Sequence, residues 1–285
     1  MRFKVSHLTS YDYKQPVSES VGEMRVCPSD SDGQLLMDRD LRIEPQAEVR
    51  AFRDFFGNCV ECFSIPFRHD KLTVESSCIV ETQVRQPRAE QLEVTLGEAR
   101  QILRGRHMDP HLFVRPSRNV PVLRRGHIVD LPEFRQAEAL GVCLLRLNQW
   151  IYKHFRYVPG ATHIETPVDE VLQKRHGVCQ DFSHVFLAVC RGLGLPARYV
   201  SGYIEAHEPG GGSKLVGAMA SHAWVEVLLP GHFWWGWDPT NNCQVGERHV
   251  RVAVGRDFSD VSPLRGTYRG VAQQNLRVEV RLERV

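Results

Sequence analysis

The sequence predicts an α+β protein: an N-terminal antiparallel β region, then helices, then antiparallel strands for the helices to cover. Three patterns carry this. Short runs of strand-favouring residues, broken by turn signals, fill residues 1 to about 85. Apolar residues then recur at three- and four-residue steps, at Leu140, Leu144, Leu147, Ile151 and Phe155. Strict alternation takes over at 221–229, with Ala223, Val225, Val227 and Leu229 on one face.

The elements follow in order. In the β region, Phe3, Val5, Leu8, Val74, Ile79, Val80 and Val84 mark strands, and Gln15-Pro16, Ser31-Asp32-Gly33, Phe56-Gly57-Asn58 and Gln86-Pro87 mark turns. This reads as a sandwich-like domain over residues 1–88. Residues 89–130 read as a connecting segment, broken by Pro110, Pro116 and Pro121, with one short helix at 98–103. A third unit, 131–285, holds the rest. Its first helix spans about 133–155. The next opens at Thr166-Pro167-Val168-Asp169, with Thr166 as cap and Pro167 at the first helical position, and Gly177 ends it. A helix at 178–193 is apolar nearly all round, through Phe182, Val185, Phe186, Val189 and Leu193, so it belongs in the centre of the core. Strands follow at 198–204, 221–229 and 233–238, the last two forming a hairpin around Pro230-Gly231. Gly210-Gly211-Gly212 reads as a loop, and 276–282 as a last strand.

Composition narrows the function. At 285 residues, with 42% hydrophobic and 25% charged, the chain can bury a core without staples. The net charge of +2 favours no class of partner. The basic pairs Arg124-Arg125 and Lys174-Arg175 are too short to bind nucleic acid. No apolar run approaches the roughly 20 residues needed to span a bilayer, and the first residues lack a signal-peptide pattern. The expectation is a cytoplasmic protein, with no membrane or nucleic-acid partner, whose eight cysteines stay reduced. Cys59 and Cys62 form a lone C-x-x-C inside a strand-like run, which suits neither zinc nor a redox helix. No metal or cofactor is expected.

Cys179 follows Gly177 at the start of the buried helix, where backbone N–H groups and the helix dipole favour a thiolate. A thiolate nucleophile needs a base and a group to orient that base. His222 opens the alternating strand, on the face of Trp224 and Glu226, and Asp238 ends its hairpin partner. A tight hairpin sets these two strand ends side by side, so the carboxylate can hold one imidazole nitrogen while the other faces sulfur. The combination points to acyl transfer through a thioester.

Four blocks then resemble the transglutaminase-like family: Gly177-Val178-Cys179-Gln180-Asp181-Phe182-Ser183-His184, Leu195-Pro196-Ala197-Arg198-Tyr199, Ser221-His222-Ala223-Trp224-Val225-Glu226-Val227 and Trp237-Asp238-Pro239-Thr240-Asn241. His7-Leu8-Thr9-Ser10-Tyr11, Met24-Arg25-Val26-Cys27-Pro28, Asp54-Phe55-Phe56-Gly57-Asn58 and Gly255-Arg256-Asp257-Phe258 are similar to the bacterial branch, in which a β domain precedes the core. The resemblance implies a papain-like core with the cysteine helix packed on an antiparallel sheet. It also implies a Cys179–His222–Asp238 triad and a protease- or amidase-like activity on a peptide or protein amide.

Several roles stay open at this level. Where animal transglutaminases carry tryptophan after the cysteine, this chain has Gln180; Gln180 and Asp181 either shape the site or are ordinary helix polarity. Trp150 and Tyr157 are candidates, by chain order, for the side-chain oxyanion donor beside the Cys179 backbone N–H. Trp224, Asp257 and Asp260 are candidates for substrate contact, and turn chemistry is the competing account of the two aspartates. Transfer to an amine, an idle binding fold and an arylamine N-acetyltransferase are the rival functions. The last is disfavoured by the Pro196-Ala197-Arg198-Tyr199 and Asp238-Pro239-Thr240 blocks.

Overall fold

The structure is a computed structural model that describes residues 1–104, 111–123, 128, 130–206, 215–217, 221–270 and 273–285. Gly210–Gly212, Pro110 and Arg124-Arg125 lie outside the described residues.

The N-terminal strands are β1 (Arg2–Val17), β2 (Ser20–Met24), β3 (Gln34–Glu44), β4 (Val49–Arg53), β5 (Cys59–Ile65) and β6 (His69–Thr82). Period-two alternation sends one face of each inward. Tyr13, Val17, Met24, Ile43, Phe63, Ile65 and Val74 pack together from two facing sheets. Those sheets are completed by the end of the chain: β14 (Leu264–Tyr268) pairs with β2, and β15 (Gln274–Arg284) pairs with β1 from Phe3↔Arg284 to Tyr13↔Gln274. The orders are β15-β1-β6-β3 and β14-β2-β5-β4. The sandwich thus draws on both chain ends.

The described residues of 89–130 pack on the core. Helix α1 (Ala89–Glu93) and helix α2 (Leu96–Leu103) pack on α3 (Leu140–His154), and Leu96, Ala99, Val120 and Leu123 are buried in the main core. Thr95 caps α2, accepting the Glu98 N–H at 3.2 Å while the Glu98 carboxylate accepts the Thr95 N–H at 3.0 Å.

Helix α4 (Val168–Lys174) starts differently from expectation. Pro167 is its N-cap, and Thr166 Oγ1 instead accepts the His163 N–H at 2.9 Å, bracing the loop before it. Two short strands, β7 (Arg156–Tyr157) and β8 (His176–Gly177), pair in parallel and hand the chain to α5 (Cys179–Gly192). Helix α5 is buried along almost its whole length and lies on a sheet of order β12-β11-β10-β9-β13. The strands are β9 (Ala197–Ile204), β10 (His222–Leu229), β11 (Phe233–Asp238), β12 (Cys243–Gln244) and β13 (His249–Gly255). Ala223, Val225, Val227 and Leu229 face α5, while Trp224 packs on the opposite face with Val200, Ile204 and Val254.

The edge strand β13 would expose unpaired backbone groups. Two side-chain amides from the sandwich fill them as a neighbouring strand would. Gln34 accepts the Arg251 N–H and donates to the Arg251 carbonyl, each at 2.8 Å, and Asn58 does the same to Val254, also at 2.8 Å.

Candidate active site

Cys179 is the first residue of α5 and is 9% exposed. The residue before it, Val178, is extended, and its N–H is taken by the Asp181 carboxylate at 2.8 Å. Asp181 also accepts the Thr162 hydroxyl at 2.6 Å. Burial raises the Asp181 pKa against these bonds. A Cβ at Gly177 would fall 2.5 Å from Asp181 Oδ2, so glycine is what lets this cap close. Asp181 therefore builds the turn that presents the thiol. Gln180 reaches the Ile164 carbonyl at 3.2 Å.

His222 begins β10 opposite Gly202, and Asp238 ends β11. Both side chains are fully buried, and His222 Nε2 donates to Asp238 Oδ2 at 2.8 Å. His222 Nδ1 is buried and has no hydrogen bond among the described residues. Gly217 lies against that edge: a Cβ there would sit 2.6 Å from Nδ1. Cys179 is the other group acting on the ring. Burial opposes the imidazolium charge, but Asp238 and then Cys179 outweigh it and push the His222 pKa up to about 10.

Asp238 is the hub. Oδ1 accepts the N–H groups of Thr240 at 3.0 Å and Asn241 at 3.2 Å. Oδ2 accepts His222, the Asn241 amide at 2.7 Å, and His249 Nε2 at 3.4 Å. Burial works against its charge, and His222 and His249 hold it well below the ordinary carboxylate range. Asn241 also bonds both backbone groups of Val216, beside Gly217, at 2.7 and 3.3 Å.

The remaining candidates separate. Tyr157 sits opposite Gly177 in the β7–β8 pair, with its ring edge-on to Phe182. Burial first, then the charges of Cys179 and Asp238, push its phenol up to about 12, so it keeps its proton. Trp150 is buried under the Arg175 guanidinium, and its aromatic contacts reach α5 through Phe155 and then Phe182. Trp224 is 1% exposed and packs edge-on to His249, on the sheet face away from α5. Asp257 is fully buried and spent on the Asn119 and Ser259 N–H groups, each at 2.8 Å; Asp260 is spent on Arg256. Both carboxylates are engaged in local structure, as the turn-chemistry account of them expects.

Asn241 and His249 were missed in the sequence. Asn241 stands in the aspartate block, two residues past a proline turn, and could have been found there; nothing local marks His249. Asp238, Cys243 and His249 place potential metal-ligand atoms within 4.8 Å of one another. In the structure five N–H donors occupy the Asp238 oxygens.

A helix bearing a cysteine against an antiparallel sheet, with histidine and aspartate on neighbouring strands, defines a transglutaminase-like core. The sequence profile of the transglutaminase-like superfamily matches residues 137–239, and that of the bacterial transglutaminase-like N-terminal region matches 3–81. An uncharacterized protein of Mycobacterium leprae is 32% identical over 284 residues, covering 100% of this chain and 99% of its own. One of Mycobacterium bovis is 36% identical, covering 93% and 87%. A solved structure of a candidate cysteine protease from Cytophaga hutchinsonii shares the fold, with a TM-score of 0.78 at 24% identity, over 99% of this chain and 90% of that one. The chain belongs to the transglutaminase-like superfamily. Among the described residues no helix is long and apolar enough to cross a membrane.

Proposed function

We propose that Cys179, His222 and Asp238 carry out acyl transfer through a thioester, ending in hydrolysis of a peptide or carboxamide bond. The observation that carries this is the buried His222–Asp238 bond of 2.8 Å, on a ring whose Nδ1 has no hydrogen-bond partner among the described residues and whose other charged neighbour is Cys179. The imidazole holds its proton at neutral pH and sets a positive charge beside the sulfur.

Cys179 Sγ attacks the carbonyl carbon, and the C=O electrons move to oxygen. His222 Nδ1 gives its proton to the nitrogen as the C–N bond breaks and the amine leaves. Water then attacks the thioester, Nδ1 takes its proton, and the acid departs as the thiolate returns. Asp238 keeps the imidazole in one tautomer and balances its charge throughout. The Cys179 N–H and the Tyr157 hydroxyl are the donors assigned to the oxyanion. Water is the favoured acceptor because it needs no binding site of its own, whereas an amine must be bound and water excluded. This chemistry fits a reducing compartment such as the cytoplasm, since all eight cysteines are free thiols.

The test is iodoacetamide at low concentration, followed by peptide mass spectrometry, with an activated amide as substrate. Rapid alkylation at Cys179, lost together with amide turnover in C179A, is the expected result. Full turnover in C179A would overturn the mechanism.

A further inference from the structure

We propose that His249 is a positioning residue of this site, and that the N-terminal sandwich acts on catalysis through it. The inference rests on the acyl-transfer reading above.

Asp238 Oδ2 faces two imidazoles, His222 Nε2 at 2.8 Å and His249 Nε2 at 3.4 Å. The Gly246 N–H donates to His249 Nδ1 at 3.3 Å. Nδ1 is therefore the acceptor, and the ring's proton sits on Nε2, aimed at the carboxylate. Trp224 meets the ring edge-on, with centroids 5.3 Å apart and planes at 80°. His249 thus fixes Asp238 from the side that His222 does not occupy.

The segment carrying His249 is itself fixed from the sandwich. Two residues before it, the Glu247 carbonyl accepts the Thr82 hydroxyl at 2.7 Å. Two residues after it, Gln34 holds both backbone groups of Arg251. A cavity of about 300 Å³ borders His249 and Trp224 between the core sheet and residues 31–34 and 82–85. The ring is not packed solidly on that side, so its place depends on these anchors. Direct contacts therefore run from Gln34 and Thr82 to the 247–251 segment, then to His249, Asp238 and His222.

The readout is the pH profile of Cys179 alkylation by iodoacetamide in the full-length protein, with folding checked by circular dichroism. His222 answers to Asp238 and Cys179, and Asp238 in turn to His222, His249, Tyr157 and Cys243. H249A is expected to slow alkylation at neutral pH roughly 10- to 100-fold, the loss of one hydrogen bond to a charged group. The rise of its profile, where the thiol gives up its proton, should move to higher pH, because a displaced Asp238 supports the His222 cation beside the thiolate less well. H249Q, whose amide can donate to Asp238, should recover most of the rate. Gln34→Ala and Thr82→Val should move the profile the same way by smaller factors. A folded H249A with the wild-type profile overturns the proposal. If H249A does not fold, wild-type profiles for both Gln34→Ala and Thr82→Val overturn it. The nucleophile is judged separately: a C179A protein that alkylates as fast as wild type sinks the acyl-transfer reading, whereas an unreactive C179A beside an unchanged H249A removes only this proposal.

Discussion

Lowering the pH should unfold this protein through two buried histidines, with His7 giving the cleaner case. His7 Nδ1 donates to the Tyr203 hydroxyl oxygen at 2.7 Å, Tyr203 donates onward to the Val26 carbonyl at 2.7 Å, and the Thr9 hydroxyl fills Nε2 at 2.9 Å. The ring joins sandwich to core, and burial lowers its pKa from 6.5 to about 4. The unfolded chain binds this proton more tightly than the folded one. The stability is therefore complete above pH 6.5, is lost progressively as the pH falls, and is fully lost below about 4. A shift of this size is worth about 3 kcal/mol at 1.36 kcal/mol per unit. His184, held at about 4 mainly by burial, adds a loss of the same sign in the same window. His222 acts in the opposite sense, contributing stability below 6.5 that fades as the pH rises toward about 10. Urea unfolding followed by tryptophan fluorescence, repeated between pH 6.5 and 4.5, measures the slope. His7→Gln should remove about one proton's worth, or roughly 1.4 kcal/mol per pH unit. An unchanged slope in a folded His7→Gln protein would refute the argument.

Three substitutions test other parts of the account. G177A puts a Cβ 2.5 Å from Asp181 Oδ2, so it should open the cap at Val178, slow Cys179 alkylation and destabilise by about 1–3 kcal/mol in urea titration. N58A leaves the Val254 N–H and carbonyl of β13 without partners, and should cost about 2–5 kcal/mol in the same titration. Y157F removes the hydroxyl proposed as a donor to the oxyanion. Acylation by an activated amide should fall about 10- to 100-fold, while iodoacetamide alkylation, which makes no oxyanion, should barely change.

The parts legible in the sequence are those that local periodicity encodes. Helix position marked Cys179, and strand parity put His222 on the face opposite Ala223 and Val225; the structure brings His222 and Asp238 together across the 233–238 hairpin. What escaped depends on partners distant in the chain. Period-two alternation at 276–282 announces a strand but not that it pairs with β1. Asn58 reads as part of a turn and nothing local marks Gln34, because the purpose of both lies in the backbone of β13. His249 reaches Asp238 although β9 and β10 lie between their strands. For Asp257 and Asp260 the sequence leaves substrate contact and turn chemistry both open, because only their partners, the Asn119 N–H and Arg256, show how they are used. Thr166 carried a good cap signal, and the loop at His163 claimed its hydroxyl instead.

The measurement that meets the central claim most directly is trapping of the acyl-enzyme. The full-length protein is mixed with a library of peptide amides and glutamine donors, quenched in acid, digested and mapped by mass spectrometry. The expected result is an acyl mass on Cys179 alone, released by hydroxylamine as a thioester must be, and absent from C179A. Turnover of the same substrates with the acyl group on another cysteine, or undiminished in C179A, would contradict it.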